Sequence, residues 1–500
     1  MRRVSVLVVL GMMAASSLLA ARARAEETPR TILEEGRSLY QAGDYAGAEA
    51  KFKAALDAQP RDYIALCLLG AAYLQQGKMD EAKQALDQCL EINPDYVPGL
   101  VNSGTWYLRK GQPDKAVEAL GAAVEKGQGS GETYFNLGCA YLALKEPENA
   151  EAGESTKNAE KALESFTKAG ELGVTGGELS YGRSLAKSAL GDSEGALADA
   201  KAACEEGPGE VRYWNRLARL QLDGGNVKEA WEAVLAALKA DPLDESAGVQ
   251  LLRVLEEHSA EVLTYDGQQL QAMADANPGC FYLEYGIGAL KLAGKDLDGA
   301  AESFQKAVAA GTGAEQAQAQ GRLGLVYLLQ EKWDAAVHPL EESIKVYDTS
   351  AALHSNLALA LFHLAQWDRY ESELNEVLRL DPGNMGALVS LGNFYAYRSE
   401  WDRAEEKYRL ALAQRADDPD ILGRIGRCQL GKKDWDPAIE TLQHATQLKT
   451  DSAELFFLLG AAYEGKGEWE NALGAYKKVL EIDPNYQKAK DRIQILGGGG

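Results

Sequence analysis

Small residues and bulky apolar residues recur along this chain at a fixed interval of 34, with polar residues between them. The interval is easiest to count on Trp333, Trp367, Trp401, Trp435 and Trp469. With each Trp set as position 17, units begin at Ala317, Ala351, Met385, Pro419 and Ala453. Position 8 is then Gly324, Ala358, Gly392, Gly426 and Gly460, and position 11 is Tyr327, Leu361, Tyr395, Gln429 and Tyr463. An acid follows every Trp. Three residues beyond the Trp stand Ala336, Ala404, Ala438 and Ala472, with Tyr370 the exception. The flanking residues are Ala, Leu, Glu, Lys and Gln, all good helix formers. The pattern predicts two amphipathic helices of about a dozen residues per unit. Trp-Asp pairs also mark β-propeller repeats, but those recur at about 40–45 residues among short strands.

The same ruler fits the N-terminal part. Units beginning at Pro29, Tyr63, Val97 and Gly131 put Gly36, Gly70, Gly104 and Gly138 at position 8 and Tyr73, Tyr107 and Tyr141 at position 11. Glycine often falls at position 15, as at Gly43, Gly77, Gly111 and Gly467, where it ends the first helix. Proline at position 32 (Pro60, Pro94, Pro382, Pro484) stops the second. Between these regular runs, Glu146–Glu160 is an insertion read as an extended helix or a solvated loop. Units near Gly177, Val211 and Glu245 are degenerate, and those near Phe281 and Ala317 arrive two residues late.

This small–aromatic–small–proline pattern resembles the tetratricopeptide repeat (TPR) over nearly the whole chain, in about 13 units. The resemblance implies an all-α fold: a right-handed α-solenoid of helix-turn-helix units with a C-terminal capping helix. The expected division is a leader over 1–25, regular units over 26–145, an insertion over 146–161 and degenerate units over 162–316. Five regular units over 317–486 follow, then a capping helix and glycine tail over 487–500.

Charge and composition narrow the function. Net charge is −23, which argues against nucleic acid as a ligand, since that backbone needs clustered Lys and Arg. Arg2 and Arg3 precede an apolar run from Val4 to Ala20, and Ala23-Arg24-Ala25 follows as a cleavage site. This reads as a secretory signal peptide and predicts a periplasmic or secreted protein, with membrane contact only if the segment stays uncleaved. Cys67, Cys89, Cys139, Cys204, Cys280 and Cys428 show neither disulfide nor metal-ligand spacing. His258, His338, His354, His363 and His444 form no H-E-x-x-H site, and no nucleophile elbow or phosphate loop occurs. The expectation is a non-enzyme with no cofactor and no metal.

The remaining chemistry is recognition. In the resembled family the first helices line a concave groove, with positions 2, 5, 9, 12 and 13 facing the ligand. That implies an N-terminal groove of Cys67, Ala71, Leu74, Val101, Thr105, Leu108, Phe135, Cys139 and Leu142. Val389, Asn393, Tyr397, Arg427 and Phe457 would add a C-terminal part. The lysine–asparagine clamp with which some members hold a carboxylate is absent. The apolar N-terminal part suits an amphipathic helix or an extended apolar peptide, and is where a partner is expected. The expected function is a protein–protein interaction scaffold, binding peptide or helix segments within a bacterial envelope assembly, secretion or export system. The alternative is a polysaccharide-contacting accessory subunit of a polymer synthesis or export complex, with the Trp series as an exposed aromatic ladder.

Overall fold

The computed structural model describes residues 28–127, 129–144, 154–263 and 267–497. The expected leader, residues 146–153 of the insertion and the last three glycines lie outside them. Among the described residues there are 27 helices and no strand. Most successive helices pack in pairs joined by short turns, and one terminal helix follows the last pair. Packing divides the chain into two compact units, Met1–Gln250 and Leu251–Gly500. The boundary falls inside helix Glu245–Val262, whose backbone leaves helical geometry at His258 (φ −137°, ψ 24°).

The first helix of a pair begins at Pro29, Tyr63, Val97, Gly131, Gly177, Val211, Glu245, Phe281, Ala351, Met385, Pro419 and Ala453. These are the unit starts read from the 34-residue interval. One start differs: the helix expected from Ala317 begins at Ala314, because Gly313 at φ 55° turns the chain earlier. The final residues of the insertion are already helical, since the second helix of the fourth pair runs Glu154–Glu171. Each ruler tryptophan is the first residue of a second helix, and the acid beside it sits in the first turn. That end of the helix dipole favours negative charge.

Within a pair, the glycine at position 8 receives the bulky side chain at position 24. A Cβ added to Gly36 would come within 2.6 Å of the Phe52 ring. The same approach brings Gly104 to Leu120 at 2.4 Å, Gly426 to Leu442 at 2.6 Å and Gly460 to Tyr476 at 2.6 Å. The receiving side chains are fully buried. The alanines at position 20, among them Ala48, Ala82, Ala336, Ala404 and Ala472, have no exposed surface at all.

In most pairs the turn between the two helices passes through the left-handed region at position 15. Gly43, Gly77, Gly111 and Gly467 do this cheaply. In the second unit the same place is held by Lys295, Glu331, Ala365, Ser399 and Lys433, at φ between 55° and 67°. These L-residues carry strain that the surrounding helix contacts impose.

Successive pairs are joined by position 17 reaching position 13 of the next pair. Trp333 stacks on His363 with centroids 3.8 Å apart and planes 5° apart. Trp367 lies 6.5 Å from Tyr397. Trp401 and Trp435 sit where a Cβ on Gly431 and Gly465 would fall, 2.4 and 2.5 Å away. Trp469 has no following pair; it is 56% exposed. The terminal helix Gln487–Gly497 closes the second unit by burying Ala489 and laying Ile493 and Leu496 on the last core. The tryptophans are therefore inter-repeat packing rather than a free ladder along an edge.

Three outcomes follow from this packing. Gly460→Val is expected to lower stability by about 1–3 kcal/mol, read as a shift of the urea midpoint. Ala365→Gly is expected to raise that midpoint by up to about 1 kcal/mol, through relief of left-handed strain partly offset by unfolded-state entropy. Under limiting N-bromosuccinimide, peptide mapping should find Trp469 and Trp367 oxidised ahead of Trp333, Trp401 and Trp435. Equal reaction of all five would contradict the inter-repeat packing.

Candidate functional site

The predicted N-terminal groove residues lie on three successive first helices, Tyr63–Gln75, Val97–Arg109 and Gly131–Ala143. Ala71, Val101, Thr105, Leu108, Phe135, Cys139 and Leu142 are half-buried there. Thr105 is tied up: it donates to the Val101 carbonyl at 3.0 Å and accepts from Asn136 at 3.2 Å. Phe135 packs against Phe166, 5.7 Å away. Cys67 and Leu74 do not face a groove. Cys67 is 2% exposed and packs with Leu66 and Cys89, and the Asn102 amide donates to its sulfur at 3.3 Å. Leu74 is 3% exposed and belongs to the core that also holds Trp106. In both cases the next first helix covers the position. The contact with the Cys89 thiol, together with burial, pushes the Cys67 thiol well up, and burial pushes that of Cys139 up to about 11. All six cysteines are unbridged. A cleft of about 860 Å³ does occur in this unit, but charged residues such as Glu160, Lys161, Glu164 and Lys168 line it, and no predicted groove residue does.

In the second unit two of the predicted residues meet at an apolar cleft of about 730 Å³. Asn393 and Tyr397 stand on one wall, on helix Met385–Tyr397. The opposite wall is Ser355, Leu359 and Phe362 on helix Ala351–His363, and the floor includes Trp367, Tyr370 and Leu374 from helix Trp367–Leu380. No charged side chain lines it. Phe362 and Leu359 are exposed, Trp367 is 37% exposed and Tyr397 is 83% exposed. Val389 is half-buried against the neighbouring core, and Phe457 is covered by Tyr476 and Tyr486 at 5.5 and 5.3 Å. Arg427 does not line this cleft. It lines an adjoining one of about 310 Å³ with Trp401, Tyr408 and Arg424, which shares Asn393 and Tyr397 with the first.

At the cleft one repeat departs from the packing rule. At position 20, where the neighbouring repeats carry a buried alanine, this repeat carries Tyr370. Its ring lies 5.5 Å from Phe362 and 5.5 Å from Phe394, with its hydroxyl toward Ser390. Burial raises the pKa of that hydroxyl, so it stays protonated. The ring sits between Phe362 and Phe394, and helices Trp367–Leu380 and Met385–Tyr397 pack loosely on one another. Sequence reasoning named Asn393 and Tyr397 but missed Phe362, Trp367, Tyr370 and Phe394. The signal that could have found them was Tyr370 itself, the single break in the row of small residues after each Trp.

Tetratricopeptide repeat family models match residues 33–97, 103–155, 181–245 and 285–352, and further models of the same repeat match 395–462 and 453–486. No curated protein matches the sequence. Among solved structures the chain is similar to YrrB, described as a TPR protein with an unusual peptide-binding site: 18% identity over 38% of this chain and 97% of that one, TM-score 0.35. It is similar to MamA from Desulfovibrio magneticus RS-1, with 19% identity over 34% of this chain and 96% of that one, TM-score 0.32. It is also similar to a chain of the Cut9–Hcn1 hetero-tetramer of the APC/C, with 13% identity over 95% of this chain and 98% of that one, TM-score 0.33. Helix pairs that mostly recur at 34 residues, and family models that match along both units, lead to one statement: the chain belongs to the tetratricopeptide repeat family.

Proposed function

We propose that this protein is a non-catalytic scaffold that holds a peptide or helical segment of a partner protein in the cleft between helices Ala351–His363 and Met385–Tyr397. The observation that carries the reading is the cleft's lining: Leu359, Phe362, Trp367 and Tyr397, on its two walls and floor, leave large apolar surface in water. Contiguous exposed apolar surface of this kind marks interaction sites. Rigid aromatic side chains in a pocket supply most of the energy at protein interfaces. The neighbouring Asn384, Ser355 and Ser390 offer hydrogen bonds at the same walls. This mixture suits apolar side chains inserted from a peptide whose backbone is satisfied at the rim. It favours a peptide over a polysaccharide, which needs many more polar partners than these.

The apolar run Val4–Ala20 followed by Ala23-Arg24-Ala25 supports an exported scaffold that acts within an envelope assembly, secretion or export system. Its partner docks on the second unit, rather than at the N-terminal groove that the repeat positions suggest. A photo-crosslinking residue at Tyr397 in the native host should yield discrete adducts with a partner protein. The same residue at the exposed Lys228 should yield none. Absence of adducts at 397 under conditions where the protein is expressed and folded would remove the cleft as the docking site.

A further inference from the structure

The six cysteines show no disulfide spacing along the chain, but the fold sorts them. Cys139, Cys204, Cys280 and Cys428 stand in or beside four different helix pairs. Cys67 and Cys89 stand in a single pair, on helices Tyr63–Gln75 and Met79–Ile92. The packing rule of the repeat sets them face to face. Gly70 receives Leu86. In antiparallel helices, one turn back from that glycine lies opposite one turn on from its partner. Those two places are positions 5 and 27, which are Cys67 and Cys89. Their thiols are in hydrogen-bond contact, in a small core with Leu66. Cys67 is 2% exposed and Cys89 has no exposed surface. Both sulfurs are held in place. The Asn102 amide donates to Cys67 Sγ at 3.3 Å. Gly99 of the next repeat makes room for Cys89, whose sulfur lies 3.1 Å from where a Cβ would stand. Position 27 asks only for a small side chain, as at Ala55, Ala123 and Ala411, so packing does not call for a sulfur opposite a sulfur. Cys89 is the better thiolate of the two, because the Cys67 S–H donates to it and lowers its pKa.

We propose that Cys67 and Cys89 are an oxidation site, and that a disulfide between them ties together the two helices of this repeat. The inference goes beyond the docking reading and does not depend on it. The step needs an oxidant, and a small-molecule disulfide of the glutathione type supplies it. The Cys89 thiolate attacks one sulfur of that molecule, forming a mixed disulfide and releasing one thiolate. The Cys67 thiolate then attacks the Cys89 sulfur, forming the protein S–S bond and releasing the second. Two protein thiols are oxidised, one small disulfide is reduced to two thiols, and the two protons pass to the leaving thiolates. The closed core has no room for a mixed disulfide, so the exchange takes place before the helix pair closes. An exported chain meets oxidants of this class while it folds.

The test uses the full chain, refolded from urea in either a glutathione redox buffer or dithiothreitol. Each sample is then denatured, alkylated with N-ethylmaleimide and measured by intact mass. The dithiothreitol sample should carry six labels, one for each cysteine, and the glutathione sample four. Non-reducing peptide maps of the glutathione sample should contain one linked pair, holding residues 67 and 89. Its urea midpoint should also be the higher of the two, since the bond constrains the unfolded chain. Cys67→Ser should carry five labels in both buffers and lose the difference in midpoint. A packing role alone would lower the midpoint of that variant in both buffers and leave six labels on the unsubstituted chain. Six labels after refolding in glutathione, or a linked pair made from other cysteines, overturns the proposal, and both are read without any variant.

Discussion

The contact on which this architecture depends is a glycine facing one bulky side chain. Position 8 has no Cβ, so the ring or branched chain at position 24 reaches the backbone of its partner helix. Nearly every well-formed pair repeats it, as with Gly36 and Phe52, Gly104 and Leu120, or Gly426 and Leu442. Burying a side chain of that size stabilises by roughly 1.5–3 kcal/mol, and it does so at the same place in each pair. A repeat of this kind touches only its neighbours, so stability is assembled from such local closures rather than from one large core. The closure also explains the strained turns. Position 15 has to enter the left-handed region for the second helix to lie on the first. The chain adopts that turn with Ala365 or Glu331 when no glycine is present, so the packed pair outweighs the local strain.

Joining one pair to the next is less demanding, and different residues do it in different parts of the chain. In the second unit it is the tryptophan at position 17 against position 13. In the first unit the same place is Tyr45, Met79 or Pro113. There the Trp106 indole instead donates to the Met79 carbonyl at 2.7 Å, and Arg109 donates to the Leu74 carbonyl at 2.5 Å. Lysines one place further on add exposed ion pairs to the acid after position 17, as in Lys432 with Asp402 at 3.2 Å and Lys466 with Asp436 at 2.7 Å. Exposed pairs of this kind add little to stability. Their value lies in register: they recur only when successive pairs sit at the same rise.

This division between a strict and a permissive contact accounts for what could be read in advance. Helix starts were readable because Gly at position 8, Ala at position 20 and the Gly or Pro punctuation are steric requirements of the backbone. The start at Ala314 was not, since it depends on one glycine turn at Gly313 outside the interval. Groove residues were only partly readable. A position number fixes the face of a helix on which a side chain stands, but not what the next helix lays over it. Asn102 lies against Cys67, and the core around Trp106 encloses Leu74, so two residues with the right phase are interior. Asn393 and Tyr397 have the same kind of phase and are open, where two helices pack loosely on one another.

The apolar cleft of the second unit coincides with a misfit in the row of buried alanines at position 20. Tyr370 breaks that row in one repeat, and Phe362, Trp367 and Tyr397 around it keep apolar surface in water. The cost is borne in the unbound protein, at roughly 25 cal/mol for every Å² of apolar area left exposed. Packing alone does not explain why an alanine slot should hold a phenol. Around it lies an apolar cleft of about 730 Å³, in the repeat array of an otherwise acidic chain. A fold whose stability is distributed over many equivalent closures tolerates one imperfect closure, and that tolerance lets a cavity open between two repeats without disturbing the others.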